Sequence, residues 1–115
     1  TRRWIEGSQY ADKIEFIIGN ALEIVPALGE KFDLVFIDGN KREYVEYYEM
    51  AMEYLNDGGW ILADNTLWDG HVIDPTRQDA QTNGVRAFND LIRNDERVEV
   101  VILPLRDGLT IIRKK

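Results

Sequence analysis

Apolar positions in this chain come in short blocks, and the spacing inside the blocks changes along the sequence. Lys13-Ile14-Glu15-Phe16-Ile17-Ile18 mixes β-branched and aromatic residues with partial alternation and is closed by Gly19-Asn20, which predicts a strand. Asn20 then opens a helix: its side chain can cap, Glu23 stands in the capping-box position, and Leu22, Val25 and Leu28 have helical spacing. Pro26 keeps that helix short or kinked. Phe32 to Ile37 is a near-continuous apolar run of the kind a parallel strand covered on both faces requires, and it ends on Asp38.

From Arg42 to Leu55 the period becomes helical. Tyr44, Tyr47, Tyr48, Ala51 and Leu55 share one face, Glu46, Glu49 and Glu53 another, and Asn56-Asp57-Gly58-Gly59 stops the helix. Trp60 to Ala63 predicts a second buried strand, ending on Asp64. A polar loop follows through Thr82, and Val85, Phe88 and Leu91 or Ile92 predict another helix packed by one face. Arg97 to Leu103 and Leu109 to Ile112 read as two closing strands, whose short connection favours an antiparallel pair. This order of elements is that of an α/β fold, an open sheet that is mostly parallel with an antiparallel edge. With no internal repeat or linker, residues 1–115 read as belonging to a single domain.

Charge and composition remove several functions. A formal net charge of −7, from 21 acidic and 14 basic side chains, argues against a phosphate-binding surface, hence against DNA or an anionic membrane as partner. With no cysteine there is neither a disulfide framework nor a thiolate metal site, and the single histidine, His71, excludes a multi-histidine zinc site within the chain. Apolar runs such as Val100 to Leu103 are far shorter than the about 20 residues a membrane-spanning helix needs. No long apolar segment follows Arg2-Arg3, so the expectation is a soluble, cytoplasmic protein.

The candidate chemistry sits at the strand ends. Asp38 and Asp64 are separated by one predicted helix, a suitable length for a right-handed strand-helix-strand unit. Both aspartates then emerge at the same carboxyl edge of the sheet, where open α/β folds place ligands. Asp38, Asp64 and Asn65 together offer two carboxylates and an amide oxygen, a hard donor set suited to magnesium, manganese or calcium. The competing reading makes each residue a cap for the next loop or helix. Lys41, three residues beyond Asp38, is either a general base reaching the same pocket or an exposed lysine at a helix start, and Asn40 a helix cap. His71, Asp74 and Asp79 either shape an acceptor pocket or are solvated loop residues.

Taken in order, Phe32-Asp33-Leu34-Val35-Phe36-Ile37-Asp38-Gly39-Asn40-Lys41, Gly58-Gly59, Ala63-Asp64-Asn65-Thr66-Leu67-Trp68-Asp69-Gly70 and Leu103-Pro104-Leu105-Arg106-Asp107-Gly108-Leu109-Thr110 resemble the cation-dependent O-methyltransferases. This is the family of catechol and caffeoyl-coenzyme A O-methyltransferases and their bacterial relatives. The resemblance spans nearly the whole chain and implies a Rossmann-like class I methyltransferase sheet.

It also implies methyl transfer from S-adenosylmethionine to a hydroxyl of a small catechol-like or phenolic acceptor. Asp38, Asp64 and Asn65 would hold Mg2+ (or Mn2+ or Ca2+), and Lys41 would be the base. Gly19, Asn20, Ala21, Asp38 and Trp68 would lie against the cofactor, although many members carry Asp where this chain has Asn20. Trp68 has a competing reading as an aromatic packing a loop onto the sheet. A methyltransferase acting on hydroxyuridine in tRNA, a phosphoacceptor receiver-like signalling domain and a non-enzymatic remnant are the rival readings.

The family's glycine-rich turn for the cofactor's methionine part, and the acid that grips its ribose, have no counterpart before residue 19. The resemblance therefore implies the C-terminal part of a longer enzyme lacking the first two strands. Those strands would lie between the predicted strand at 14–18 and the one at 33–38. Their absence predicts an unpaired inner edge that is met by a second copy, as a homodimer, or by a larger body.

Overall fold

The computed structural model describes residues 1–115. Helix α1 (Arg2–Glu6) and a 3-10 turn at Ala11–Lys13 lead to α2 (Ala21–Ala27), then β1 (Phe32–Ile37), α3 (Tyr44–Tyr54), β2 (Leu55–Asp64), α4 (Ala80–Arg93), β3 (Val98–Leu103) and β4 (Leu109–Lys114). Further 3-10 turns at Lys41–Glu43 and Trp68–Ile73 lie between β1 and α3 and between β2 and α4.

The four strands form one sheet in the order β1-β2-β4-β3. Strands β1 and β2 are parallel, whereas β4 runs antiparallel to both β2 and β3. The sheet is thus mixed, and only one of its three pairings is parallel. The expected strand at 14–18 does not form. Ile14 is extended, but the segment has no neighbour to supply ladder hydrogen bonds, and an extended segment without them is not a strand. Its side chains Ile14, Phe16, Ile17 and Ile18 are exposed.

Local chemistry explains the remaining elements. The Asn20 side chain accepts the Leu22 N–H at 3.0 Å and caps α2, which with Pro26 inside it runs only seven residues. Asn40 caps the Lys41–Glu43 turn in the same way, accepting the Arg42 N–H at 3.1 Å. Asn56 to Gly59, expected as a separate stop, lies inside β2: the register passes from Phe32↔Leu55 to Leu34↔Trp60 through a bulge, with Gly58 at φ 77°.

Helices α3 and α4 pack on each other and on one face of the sheet. Tyr44, Tyr48 and Phe88 join them edge to face, with ring centroids 5.4 and 5.9 Å apart for the two tyrosines against Phe88. Below them Ile37, Ile61, Ala63 and Ile112 are buried. The opposite face is bare: Leu34 is 54% and Phe36 55% exposed, beside exposed Trp60 and Val101. The apolar run of β1 predicts cover on both faces, but here no element lies over the second.

Candidate active site

Strands β1 and β2 set the site. Ile37 pairs with Ala63, so the next residues, Asp38 and Asp64, stand side by side at the carboxyl edge. A buried tyrosine ties the two strand ends together. The Tyr44 hydroxyl donates to the Asp64 carbonyl at 2.7 Å, lies 3.4 Å from the Ile37 carbonyl, and accepts from Lys41 Nζ at 2.9 Å.

Burial raises the pKa of Tyr44 well above the tyrosine range, and the negative charges of Asp38 and Asp64 add to it, followed by Tyr47 and Asp107. The three carboxylates thus act on one buried hydroxyl.

Lys41 is buried, at 9% exposure, so the reading of it as an exposed lysine fails. Its ammonium meets Asp38 Oδ1 and the Gly39 carbonyl, each at 3.2 Å, as well as Tyr44 Oη. All three donors are satisfied. The nitrogen lies 4.8 Å from the Tyr44 ring centroid and 5.8 Å from that of half-buried Trp68. Gly84 of α4 lets this turn sit so close: a Cβ there would come 2.9 Å from Arg42 Cα and closer still to the Lys41 carbonyl oxygen.

After β2 the backbone turns sharply. Asn65, Trp68 and Asp69, with Arg106 in the facing turn, have left-handed φ values of 62°, 49°, 54° and 49°. Such backbone is uncommon outside glycine and concentrates at functional sites. The Asp64 carboxylate accepts the Asn65 N–H at 2.8 Å, and Asn65 Nδ2 donates to Asp107 Oδ2 at 3.1 Å. Asp64, Asn65, Asp69, Arg106 and Asp107 line an open polar cleft of about 360 Å³.

Beside it Gly19, Asn20 and Ala21 meet Asp38, Gly39 and the end of β1 around a second, more apolar cleft of about 370 Å³. Gly19, Asn20, Ala21 and Asp38 thus line the second cleft and Asp64 and Asn65 the first, while Trp68 lines neither and stands over Lys41. The Asn20 oxygen is spent on capping α2, which leaves its amide nitrogen for a ligand.

The long-loop residues are mostly structural. Asp79 caps α4 by accepting the Thr82 N–H at 3.0 Å, and Asp74 accepts the Thr76 N–H at 2.9 Å. His71 stands 3.9 Å from Asp69. Arg86 is a side chain that pattern reading passes over. Its guanidinium donates to the carbonyls of His71 and Val72, each at 3.1 Å, and to those of Asp74 and Arg77, which holds the loop beyond Trp68. Tyr44 reads in the sequence only as a core-face residue; its place three residues after Lys41 is the available hint.

No three His, Cys, Asp or Glu side chains converge closely enough to hold an ion. A cation here would need the Asn65 amide besides Asp38 and Asp64. That donor set is all oxygen, and its two acids share one strand edge, so the residues fit a hard divalent ion.

A sequence profile of the O-methyltransferase family matches residues 1–115. Caffeoyl-CoA O-methyltransferase 1 of Eucalyptus globulus is 35% identical over 122 residues, covering 96% of this chain and 49% of the relative. The crystal structure of an O-methyltransferase from Bacillus cereus in complex with SAH superposes with a TM-score of 0.92 at 32% identity, over 99% of this chain and 56% of the other. That of the O-methyltransferase TomG from Streptomyces achromogenes, in complex with SAM, gives 0.84 at 31% identity, over 91% and 51%. The chain spans about half the length of the relatives it matches.

Proposed function

Because this chain belongs to the O-methyltransferase family, we propose that its protein transfers the methyl group of S-adenosylmethionine to a hydroxyl of a small catechol-like or phenolic acceptor, with a divalent cation at Asp38, Asp64 and Asn65. The observation that carries this reading is the shared strand edge, where two aspartates end adjacent parallel strands and one buried tyrosine bonds the Asp64 carbonyl directly and reaches Asp38 through Lys41.

Gly19, Asn20, Ala21 and Asp38 offer the cofactor the apolar cleft, and Trp68 closes over the Lys41 side. What a divalent ion supplies at such a site is Lewis acidity, which makes a nearby acceptor hydroxyl more acidic. Lys41 Nζ is held by three acceptors at the cleft, and as the free amine its lone pair would take the acceptor hydroxyl's proton. Asp38 keeps the nitrogen at the cleft, and Tyr44 keeps it level with the Asp64 strand end. Positioning and charge placement carry the acceleration.

The test is radiolabelled methyl transfer by the complete enzyme to a panel of phenols and catechols and to tRNA. Label in a catechol supports the reading. Label confined to tRNA replaces the acceptor, and label in neither overturns it.

A further inference from the structure

We infer that Asp107 is a positioning residue for the proposed cation site, selecting which end of the Asn65 amide faces the cleft. The inference rests on the cation reading above and concerns a residue outside the donor set.

Both oxygens of the Asp107 carboxylate are engaged by the loop that follows β2. Oδ2 accepts from Asn65 Nδ2 at 3.1 Å, and Oδ1 accepts the backbone N–H of Asp69. An ionised carboxylate can only accept, so it takes the nitrogen end of the amide and excludes the flipped orientation. Asn65 Oδ1, on the other branch of the planar amide, accepts no hydrogen bond from the protein. The acceptor that a hard cation needs is left free, and the donor that would repel one is tied back.

The carboxylate is itself firmly placed. The Leu67 N–H donates to the Asp107 carbonyl at 2.9 Å and the Thr66 N–H to that of Gly108 at 3.3 Å. Gly108 has φ 84°, and a Cβ there would meet Leu67 Cγ at 2.7 Å and Thr66 Oγ1 at 2.9 Å. The turn before β4 and the loop after β2 therefore touch backbone to backbone, and Asp64 pairs with Leu109 across the ladder. Asn65 lies on left-handed backbone, which aims its side chain at this turn. Side-chain partners of this kind orient ligands and commonly change affinity by about 10- to 100-fold when lost.

A loop staple would show the same contacts, so the test must separate orientation from anchoring. Asp107→Asn does this. Its oxygen can still accept the Asp69 N–H, but its NH2 now faces Asn65 and pulls the Asn65 oxygen inward. In the complete enzyme, titrated with Mn2+ alone and followed by electron paramagnetic resonance, Asp107→Asn should weaken binding about 10- to 100-fold. Its metal-free thermal midpoint should stay near wild type.

The double variant Asn65→Asp/Asp107→Asn reverses the pair and should restore binding to at least the wild-type level. Unchanged Mn2+ affinity in Asp107→Asn overturns the inference while leaving the cation reading intact. Absence of Mn2+ binding in the wild type overturns both. Should Asp107→Asn not fold, the double variant decides: wild-type-like binding supports the inference and a loss overturns it.

Discussion

The hydroxyl of Tyr44 donates to the backbone carbonyl of Asp64 at 2.7 Å while accepting from Lys41 at 2.9 Å. One buried oxygen thus fixes the height of the lysine relative to the strand that delivers Asp64 and Asn65. Tyr44→Phe keeps the ring against Phe88 but strands a buried carbonyl and one ammonium proton. It should cost about 1–3 kcal/mol in stability. It should also lower kcat more than it raises KM, because the ground-state clefts survive. Chemical denaturation and steady-state kinetics check both, and a variant as stable and active as wild type would remove Tyr44 from the site.

Gly84→Ala sets two effects against each other. Alanine within a helix is worth up to about 1 kcal/mol over glycine. Here, however, the added methyl would enter the backbone of Lys41 and Arg42, which cannot swing aside as a flexible side chain would. Overpacking of this kind costs about 1–3 kcal/mol, so the variant should be destabilised on balance. A thermal midpoint at or above wild type would contradict this close packing of α4 on the Lys41 turn.

Stability should fall at both pH extremes through one cluster. The Asp95 carboxylate accepts from Arg97 and from the Tyr48 hydroxyl, each at 2.7 Å. The Arg97 hydrogen bond is the main cause holding Asp95 well below the usual carboxylate range, with Tyr48 helping. A depressed acid stabilises the fold above its ordinary value near 4 and loses that contribution as pH falls below it. Burial, then the bond to Asp95, pushes Tyr48 above the tyrosine range. Its contribution is complete below about pH 10 and is lost as pH rises further. Urea midpoints against pH should show an acid limb that Asp95→Asn flattens and an alkaline limb that Tyr48→Phe flattens; limbs of unchanged slope would contradict the assignment.

Much of this was legible in the sequence. The apolar run ending on Asp38 and the shorter one ending on Asp64 locate β1 and β2, and the helix between them makes the strands parallel. The two aspartates therefore meet at one edge. The Lys13–Ile18 segment shows the limit: its composition is that of a strand, but pairing belongs to the neighbour as much as to the segment. Tyr44 and Asp107 were hidden for a different reason. Periodicity says which face a side chain occupies and nothing about where its terminal oxygen ends, and Asp107 reaches Asn65 from 42 positions away.

The bare face carrying Leu34 and Phe36, beside the free edge of β1, predicts that the isolated 115-residue chain self-associates. Sedimentation should show species larger than a monomer. A monomer with slow amide exchange over residues 33–38 would contradict this.

Asp38, Asp64 and Asn65 are proposed to form a cation site for methyl transfer. Its most direct test compares catechol methylation by the complete enzyme with magnesium and with chelator, alongside Asp38→Ala and Asp64→Ala. Turnover that requires magnesium and disappears in both variants is the predicted result. Methylation that continues at full rate in chelator, or survives either substitution, would contradict the account.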